Sequence, residues 1–394
     1  MKILSVNVGS SSLKFRLLQM PEENEIASGV VERIGNKNAE FKIEFNGTSE
    51  TKSDLVVLDH SVAADLVIKG LLEHKVIESL DDIQGVGHRI VQGGETFKES
   101  VVITDDVVIK IAALNDLAPL HNPAHIIGIN AFRKAIPNVI HVAVFDTTFH
   151  QTMPKENFMY GTPYEWYERH GVRKYGFHGT SHQYVSEVAH KRLGKEDSKI
   201  IVAHIGNGAS ITAVKGGKSI DTSMGLTPLE GFPMGTRSGN VDPSIFHLMQ
   251  QKEGYSLEKT LNELNKNSGY LGISGLSHDS RDIIEAAHNG HERARLALEI
   301  QTKRIVDYIA SYYVLLGGLD ALVFTAGIGE NAREVRKLIC DRLEVLGIII
   351  DDEKNNSRGD KEISADNSKV KIWVIPTNEE VMIARDVLRL QKAQ

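Results

Sequence analysis

The chain has 394 residues, of which 41% are hydrophobic and 25% charged, an ordinary globular composition that excludes a mainly disordered or fibrous protein. Lys and Arg total 45 against 52 Asp and Glu, and the net charge of -7 comes with no basic block. That balance argues against a nucleic-acid or anionic-membrane partner and leaves room for a small anionic ligand held by a local group of basic side chains.

The length predicts two large domains or three small ones. One cysteine, Cys340, excludes an internal disulfide framework and a multi-cysteine zinc site. Its amphipathic setting (Val335, Leu338, Ile339, Leu343) predicts a buried structural thiol. The first apolar run is too short for a signal peptide before Gly9-Ser10-Ser11-Ser12 breaks it. The most apolar stretch, 309–324, carries Asp320 and Gly317-Gly318, which argues against a membrane span. The expectation is a soluble, cytoplasmic protein.

In chain order, the β-rich run 2–8 meets the Gly9 to Ser12 turn and resumes with alternation over 13–18. The same grammar returns at 199–205, Gly206-Asn207-Gly208, then 211–214. Laid over one another, Lys2 matches Lys199, Asn7 matches His204 and Gly9 matches Gly206. One fold unit therefore occurs twice, with a seam between 145 and 200. Lys215-Gly216-Gly217-Lys218 reads as a hairpin turn. Gly217-Lys218-Ser219 is not a phosphate-binding P-loop, because the first glycine that motif needs would fall at Thr212. Helical periodicity covers 281–289 and Glu292–Leu316. A buried-strand run at Ala321–Thr325 leads into a third glycine turn, 327–329, and then a helix over 332–343. The polar stretch 351–369 reads as an exposed loop, and 372–375 as a strand. Thr377 with Glu380 forms a capping box for the last helix. Alternating strands and helices make the chain α/β.

Glycine turns after β-runs let backbone N–H groups approach an oxyanion, and phosphate is the usual guest. Three of them, two in matching hairpins, point to a nucleotide. Lys14, just past the first turn, reads equally as a phosphate ligand and as a solvated strand residue. Arg89 interrupts an apolar strand before Gly93-Gly94, and Arg237 lies in a glycine-bounded loop. Two guanidinium groups aimed at one site suit carboxylate and phosphate. Asp146 ends a β-run, where α/β folds place ligands. Glu379 is expected to be available because Glu380 occupies the cap. Asn7, Asp146 and Glu379 are hard oxygen ligands of the kind that hold hydrated Mg²⁺. His121 with His125, and His178 with His182, share an i,i+4 spacing compatible with zinc but lack the glutamate of a zincin motif. His178 reads better as a hydrogen-bond donor to developing negative charge.

Eight segments together resemble the acetate kinases. They are Asn7-Val8-Gly9-Ser10-Ser11-Ser12-Leu13-Lys14, Gly87-His88-Arg89, Asp146-Thr147-Thr148-Phe149-His150-Gln151-Thr152-Met153-Pro154 and Tyr175-Gly176-Phe177-His178-Gly179-Thr180-Ser181-His182. The others are His204-Ile205-Gly206-Asn207-Gly208, Met234-Gly235-Thr236-Arg237-Ser238-Gly239, Gly327-Ile328-Gly329-Glu330-Asn331 and Pro376-Thr377-Asn378-Glu379-Glu380. They follow in order over almost the whole chain. Gln92, Val8 and Ser280 depart from the family, which often has histidine, alanine and phenylalanine at those places.

The resemblance implies a two-lobed, duplicated actin and sugar-kinase fold (ribonuclease H-like) with a nucleotide cleft between the lobes. One lobe would be 1–150 plus 381–394, closed by the C-terminal helix, and the other 151–380. The implied reaction is ATP + acetate ⇌ ADP + acetyl phosphate, by direct in-line attack, with Mg²⁺ and with Mn²⁺ as an alternative. By the same analogy Asn7 and Glu379 serve the metal and Lys14 the phosphates. His204, Ile205, Gly206, Asn207 and Gly208 bind the nucleotide, together with Asp279, Ser280, Arg281, Gly327, Ile328, Gly329, Glu330 and Asn331. Arg89 binds the carboxylate, and Val91, Leu120, Phe177 and Pro228 wall a small apolar pocket. His178 and Arg237 stabilise the transition state, Asp146 is catalytic, and the protein is a homodimer.

Acetate is already ionised at neutral pH, since carboxylic acids titrate near ~4, so it needs no general base. Asp146 is therefore expected to act through magnesium or by orienting an arginine. Three rival readings are a propionate or other short-chain carboxylate kinase, a dinucleotide enzyme suggested by Gly327-x-Gly329-x-x-Ala332, and a chaperone-like nucleotide switch.

Overall fold

The structure is a computed structural model that describes residues 1–119 and 121–393. Leu120, expected as a pocket wall, lies outside the described residues. Two compact units are present: Met1–Thr148 with the segment from Asn378 onward, and Phe149–Thr377.

The first unit is built on the hairpin β1 (Lys2–Val8) and β2 (Ser12–Gln19), whose alternating apolar side chains pair antiparallel from Lys2 opposite Gln19 to Val8 opposite Leu13. The sheet continues through β3 (Asn24–Glu32), β4 (Ala39–Phe45) and β5 (Thr48–Leu55) on one side. On the other side lie β6 (Ile83–Ile90), β7 (Val101–Val102) and β8 (Ile140–Phe145), giving the order β5-β4-β3-β2-β1-β6-β8-β7. Its core is a continuous cluster that includes Leu4, Phe15, Phe41, Val67 and Phe132. Helix Glu379–Lys392 packs on β6 because β6 lacks side chains there. A Cβ at Gly87 would come within 2.2 Å of Ile383, and one at Gly85 within 2.5 Å of Val387.

The second unit repeats the plan with β9 (Lys199–Ile205), β10 (Ala209–Lys215), β11 (Lys218–Thr222), β12 (Ala321–Thr325), β13 (Lys361–Glu362) and β14 (Lys371–Val374). Its order is β11-β10-β9-β12-β14-β13. In both sheets the hairpin and the strand after it are antiparallel, and the next two strands are parallel. The repeated hairpins read from sequence are thus the centres of two sheets of one topology. Helices Gly179–Leu193 and Glu292–Leu316 pack on β9, and the latter also on β10.

Three local expectations are corrected. Residues 327–329 are not a free turn but lie inside the short helix Ala326–Asn331 that follows β12 directly. The supposed loop 351–369 contains helix Asp352–Asn355 and β13, and buries Asn355, Ile363 and Ser364. The last helix starts at Glu379 with Asn378 as its cap, whose side chain accepts from Val381 N at 3.3 Å. Thr377 instead shares a 2.7 Å hydrogen bond with Ser181 Oγ. The hairpin turn at Gly216-Gly217 forms with both glycines at positive φ, and Cys340 is buried, which pushes its thiol up.

Candidate active site

In the first unit, β6 ends on Arg89-Ile90 and β8 delivers Asp146 one residue past its end. Arg89 Nε and Nη2 donate to the two Asp146 oxygens at 2.9 and 2.7 Å. Asp146 is 1% exposed, and burial raises its carboxyl above the usual range against the pull of the guanidinium. For Arg89, burial works against the charge, but Asp146 and then Glu379 outweigh it and hold the guanidinium protonated. Glu379 Oε2 lies 3.9 Å from Arg89 Nε. Its neighbour Glu380 does not close a capping box; it faces Arg16 Nη1 at 3.7 Å. Asn7 is half-buried on β1, directly opposite the exposed Lys14 on β2.

Strand β6 stops at Ile90, so alternation along a strand does not carry Val91 to the side of Arg89 as expected. Val91 is buried, and its amide donates to His125 Nδ1 at 3.4 Å. Gln92 and Asn122 exchange two hydrogen bonds, Gln92 N to Asn122 Oδ1 at 3.3 Å and Asn122 Nδ2 to Gln92 O at 3.1 Å. Gln92 Oε1 accepts from Gly94 N at 2.8 Å, while its buried Nε2 finds no acceptor among the described residues. Burial and the nearby Arg89 charge push His125 down to about 3, so it stays neutral. Sequence alone does not foresee these contacts of Asn122 and His125 with the segment just past β6. The sequence signal was the His121/His125 spacing, read only for zinc.

In the second unit, His178 takes a left-handed backbone (φ 56°) at the start of helix Gly179–Leu193. The carbonyl before it, Phe177 O, accepts from His150 Nε2 at 2.9 Å. His178 Nδ1 and His182 Nε2 both meet Ser210 Oγ, at 2.9 and 2.7 Å. The His178 ring stacks on His204 at 4.1 Å, and His204 Nδ1 lies 2.7 Å from Ser181 Oγ. The i,i+4 histidine pair is thus joined by a serine. Arg237 Nη1 donates to Pro228 O at 3.2 Å, so the expected loop arginine and the expected pocket proline are one structure. No carboxylate pairs with Arg237 among the described residues, and burial lowers its pKa. A Cβ at Gly208 would stand 3.3 Å from Arg237 Nη1 and 3.7 Å from His178 Nε2. His178 and Arg237 therefore converge on the bare backbone of the 206–208 turn.

That turn also edges a cleft of about 950 Å³, lined by Gly206, Asn207, Asp279, Arg281, Gly327 and Asn331. Ser280 and Ile328 join the lining, while Ile205 is buried beneath on β9. Asp279 caps helix Ser280–His288 through Arg281 N at 2.8 Å, and the Arg281 side chain holds its carboxyl down at about 2. Glu330 is turned inward: its Oε1 accepts from Ala326 N at 2.9 Å and Thr377 N at 3.2 Å. Gly329 supports the cleft from below, its carbonyl accepting from the buried Arg336 at 2.8 Å. Arg358, from the stretch read as a plain loop, also lines the cleft. A separate hollow of about 750 Å³, around Pro233, Leu264 and Tyr308, brings together none of the glycine turns.

Two sheets of this order, with a nucleotide-sized cleft at the second hairpin's turn, define an α/β protein of the actin and sugar-kinase-like ATPase class. The acetokinase family model matches residues 2–385. The acetate kinase of Acholeplasma laidlawii is 87% identical, covering 99% of this chain and 100% of its own. That of Bacillus subtilis is 53% identical, covering 99% and 100%. Among solved structures, Porphyromonas gingivalis acetate kinase superposes with a TM-score of 0.94 at 44% identity, covering 99% of each chain. A propionate kinase from Francisella tularensis gives 0.93 at 47%, covering 98% of each. The chain belongs to the acetokinase family. It is a kinase, a phosphotransferase with a carboxyl group as acceptor.

Proposed function

We propose that the chain catalyses ATP + acetate ⇌ ADP + acetyl phosphate by direct in-line transfer. A carboxylate oxygen attacks the γ-phosphorus while the bond to the bridging oxygen of ADP breaks, and no proton moves. The observation that carries this reading is the convergence of His178 and Arg237 on Gly208, at a turn that also edges the nucleotide cleft. The difficulty of the reaction is repulsion between an anionic nucleophile and an anionic phosphoryl group, and preorganised donors and cations at the transfer point answer it.

Arg89 would hold the acetate carboxylate. Both Asp146 oxygens are already engaged by Arg89, which supports orientation of that arginine over proton transfer. Val91, Phe177 and Pro228 would wall the methyl group. The 206–208 turn, Asp279 to Arg281 and Gly327, Ile328 and Asn331 would hold the nucleotide, with Lys14 on its phosphates. His204, Ile205, Gly329 and Glu330 would support that surface from within. Mg²⁺ keeps most of its waters and needs only one or two protein oxygens beside phosphate. Asn7 and Glu379 offer hard oxygens of that kind, so the residues present fit the ion, whose charge would neutralise the phosphates.

The propionate reading is not favoured, because the relative at 87% identity is an acetate kinase and the propionate kinase stands at 47%. The family reading also makes the protein a cytoplasmic homodimer, checked by sedimentation at twice the 43.5 kDa chain mass. No helix among the described residues is long and apolar enough to cross a membrane. The deciding experiment traps acyl phosphate with hydroxylamine in the presence of ATP, Mg²⁺ and acetate, propionate or butyrate. Acetyl hydroxamate as the main product is expected; nucleotide turnover without any acid would sink the proposal.

A further inference from the structure

We propose that His182 and Ser210 form a buried relay that fixes the tautomer of His178, so that His178 presents an Nε2–H donor to the phosphoryl group in transfer. Ser210 Oγ lies between His182 Nε2 at 2.7 Å and His178 Nδ1 at 2.9 Å. A hydroxyl can accept two hydrogen bonds, but Ser210 is fully buried and its Oγ has no third partner among the described residues. Donation from both rings would therefore leave its O–H without an acceptor. Two arrangements remain, in each of which it accepts from one ring and donates to the other. In the first, His182 Nε2–H donates to Ser210 and Ser210 donates to His178 Nδ1. In the second, every direction is reversed.

The far nitrogen of His182 decides between them. His182 is fully buried, and its Nδ1 has no hydrogen-bond partner among the described residues. In the reversed arrangement Nδ1 carries a proton, leaving a buried N–H without an acceptor, the rarest kind of polar group in a folded interior. In the first arrangement Nδ1 is a bare lone pair and the defect is smaller. Protonating both nitrogens is excluded, since burial, with the His150 and His204 rings beside it, holds His182 neutral far below the ordinary histidine range.

The consequence falls on His178. With Nδ1 accepting from Ser210, the neutral ring carries its proton on Nε2, the nitrogen that faces the Gly208 turn beside Arg237. The reversed tautomer would turn a lone pair toward an anion. His150 adds a backbone anchor by donating to Phe177 O at 2.9 Å, one residue before the left-handed His178. Ser210 and His182 are positioning residues: they act on the reaction only through His178.

The inference rests on the acyl-phosphate reading for its purpose, but its first test does not. Nitrogen-15 NMR of the ligand-free protein should show His178 protonated at Nε2 and bare at Nδ1 near pH 7.5. In Ser210→Ala the two tautomers should mix, and kcat should fall roughly tenfold while KM for ATP stays within about twofold. His182→Gln, whose amide N–H2 can replace the imidazole donor, should keep the single tautomer and most of kcat. An Nδ1-protonated His178 in the unaltered protein overturns the proposal. So does a Ser210→Ala protein with an unchanged tautomer, whatever its rate. A wild-type protein with the expected tautomer but no acyl phosphate would instead defeat the functional reading and leave the relay standing.

Discussion

The hairpins β1–β2 and β9–β10 share topology, although Val8 pairs with Leu13 across four intervening residues and Ile205 with Ala209 across three, yet they treat polar side chains in opposite ways. On β2, Lys14 and Arg16 keep access to solvent, and the charged residues near them are paired: Arg89 with Asp146, Arg16 with Glu380 and Asn378. On β10 every residue from Ala209 to Val214 is buried, and its polar groups are neutral hydroxyls satisfied by histidines and threonines. The cation beside this second hairpin, Arg237, has no carboxylate partner among the described residues. One scaffold thus presents a guanidinium with its counter-ions built in, and another presents one that awaits an anion.

That contrast makes the largest expected effects distinguishable. Arg89→Ala and Arg237→Ala should each lower turnover by roughly 10²–10³ or more, measured as acyl hydroxamate formed per minute. They should part company in stability. The sequence predicts that both variants keep the fold, but Asp146 is buried against Arg89, so its removal strands a carboxyl and costs about 3–5 kcal/mol. Arg237→Ala breaks only hydrogen bonds to Pro228 O and Met234 Sδ, and its urea midpoint should stay close to wild type. Equal losses of stability in the two variants would erase the distinction.

A smaller effect is expected on substrate choice. If Val91 walls the methyl group, Val91→Ala should raise kcat/KM for propionate relative to acetate by about tenfold, one methylene being worth ~1–3 kcal/mol. An unchanged ratio with activity retained would assign the wall to other residues.

Stability should also depend on pH. His150 in the second unit is pushed down to about 4 and His125 in the first to about 3, both by burial. Below ~6.5 the unfolded chain binds protons that these folded rings refuse, so stability must fall as pH falls. Each histidine should cost up to ~1.4 kcal/mol per pH unit below 6.5, ending near pH 4 for His150 and pH 3 for His125. Melting temperature followed from pH 7.5 to 5 should therefore drop before most carboxylates titrate. A flat profile would show the rings charged in the native state.

The smallest pair separates metal from helix. Glu379→Ala should raise the magnesium concentration for half-activity and cost about 0.3–1 kcal/mol as a lost helix-end charge. Asn378→Ala removes the actual cap, should cost about 1 kcal/mol, and should leave the magnesium dependence alone.

Much of this was legible from the amino-acid order because it is local. Glycine where the backbone must turn or lie open, apolar alternation along β1, β2 and β9, and a polar residue ending β8 are properties of short segments. They singled out Arg89, Asp146, His178, Arg237 and the 206–208 turn as candidates. What failed was also local in form but tertiary in cause. A threonine three residues before a glutamate fits a capping box, yet Thr377 is held by Ser181 and Glu330, and Asn378 caps the helix. The stretch 351–369 looked exposed by polarity, yet Arg336 draws Asn355 into the interior through two hydrogen bonds.

The sequence by itself determined the two sheets, the glycine turns and the types of residue available for a charged reaction, since periodicity and backbone freedom act between near neighbours. Only the tertiary structure decided which partners those residues have. That Asp146 spends both oxygens on Arg89, that Arg237 leans on Pro228 O, and that one serine joins His178 to His182 are contacts between distant segments. Pairing of that kind depends on which side chains the strands carry to the same few ångströms, and no spacing along the chain encodes it.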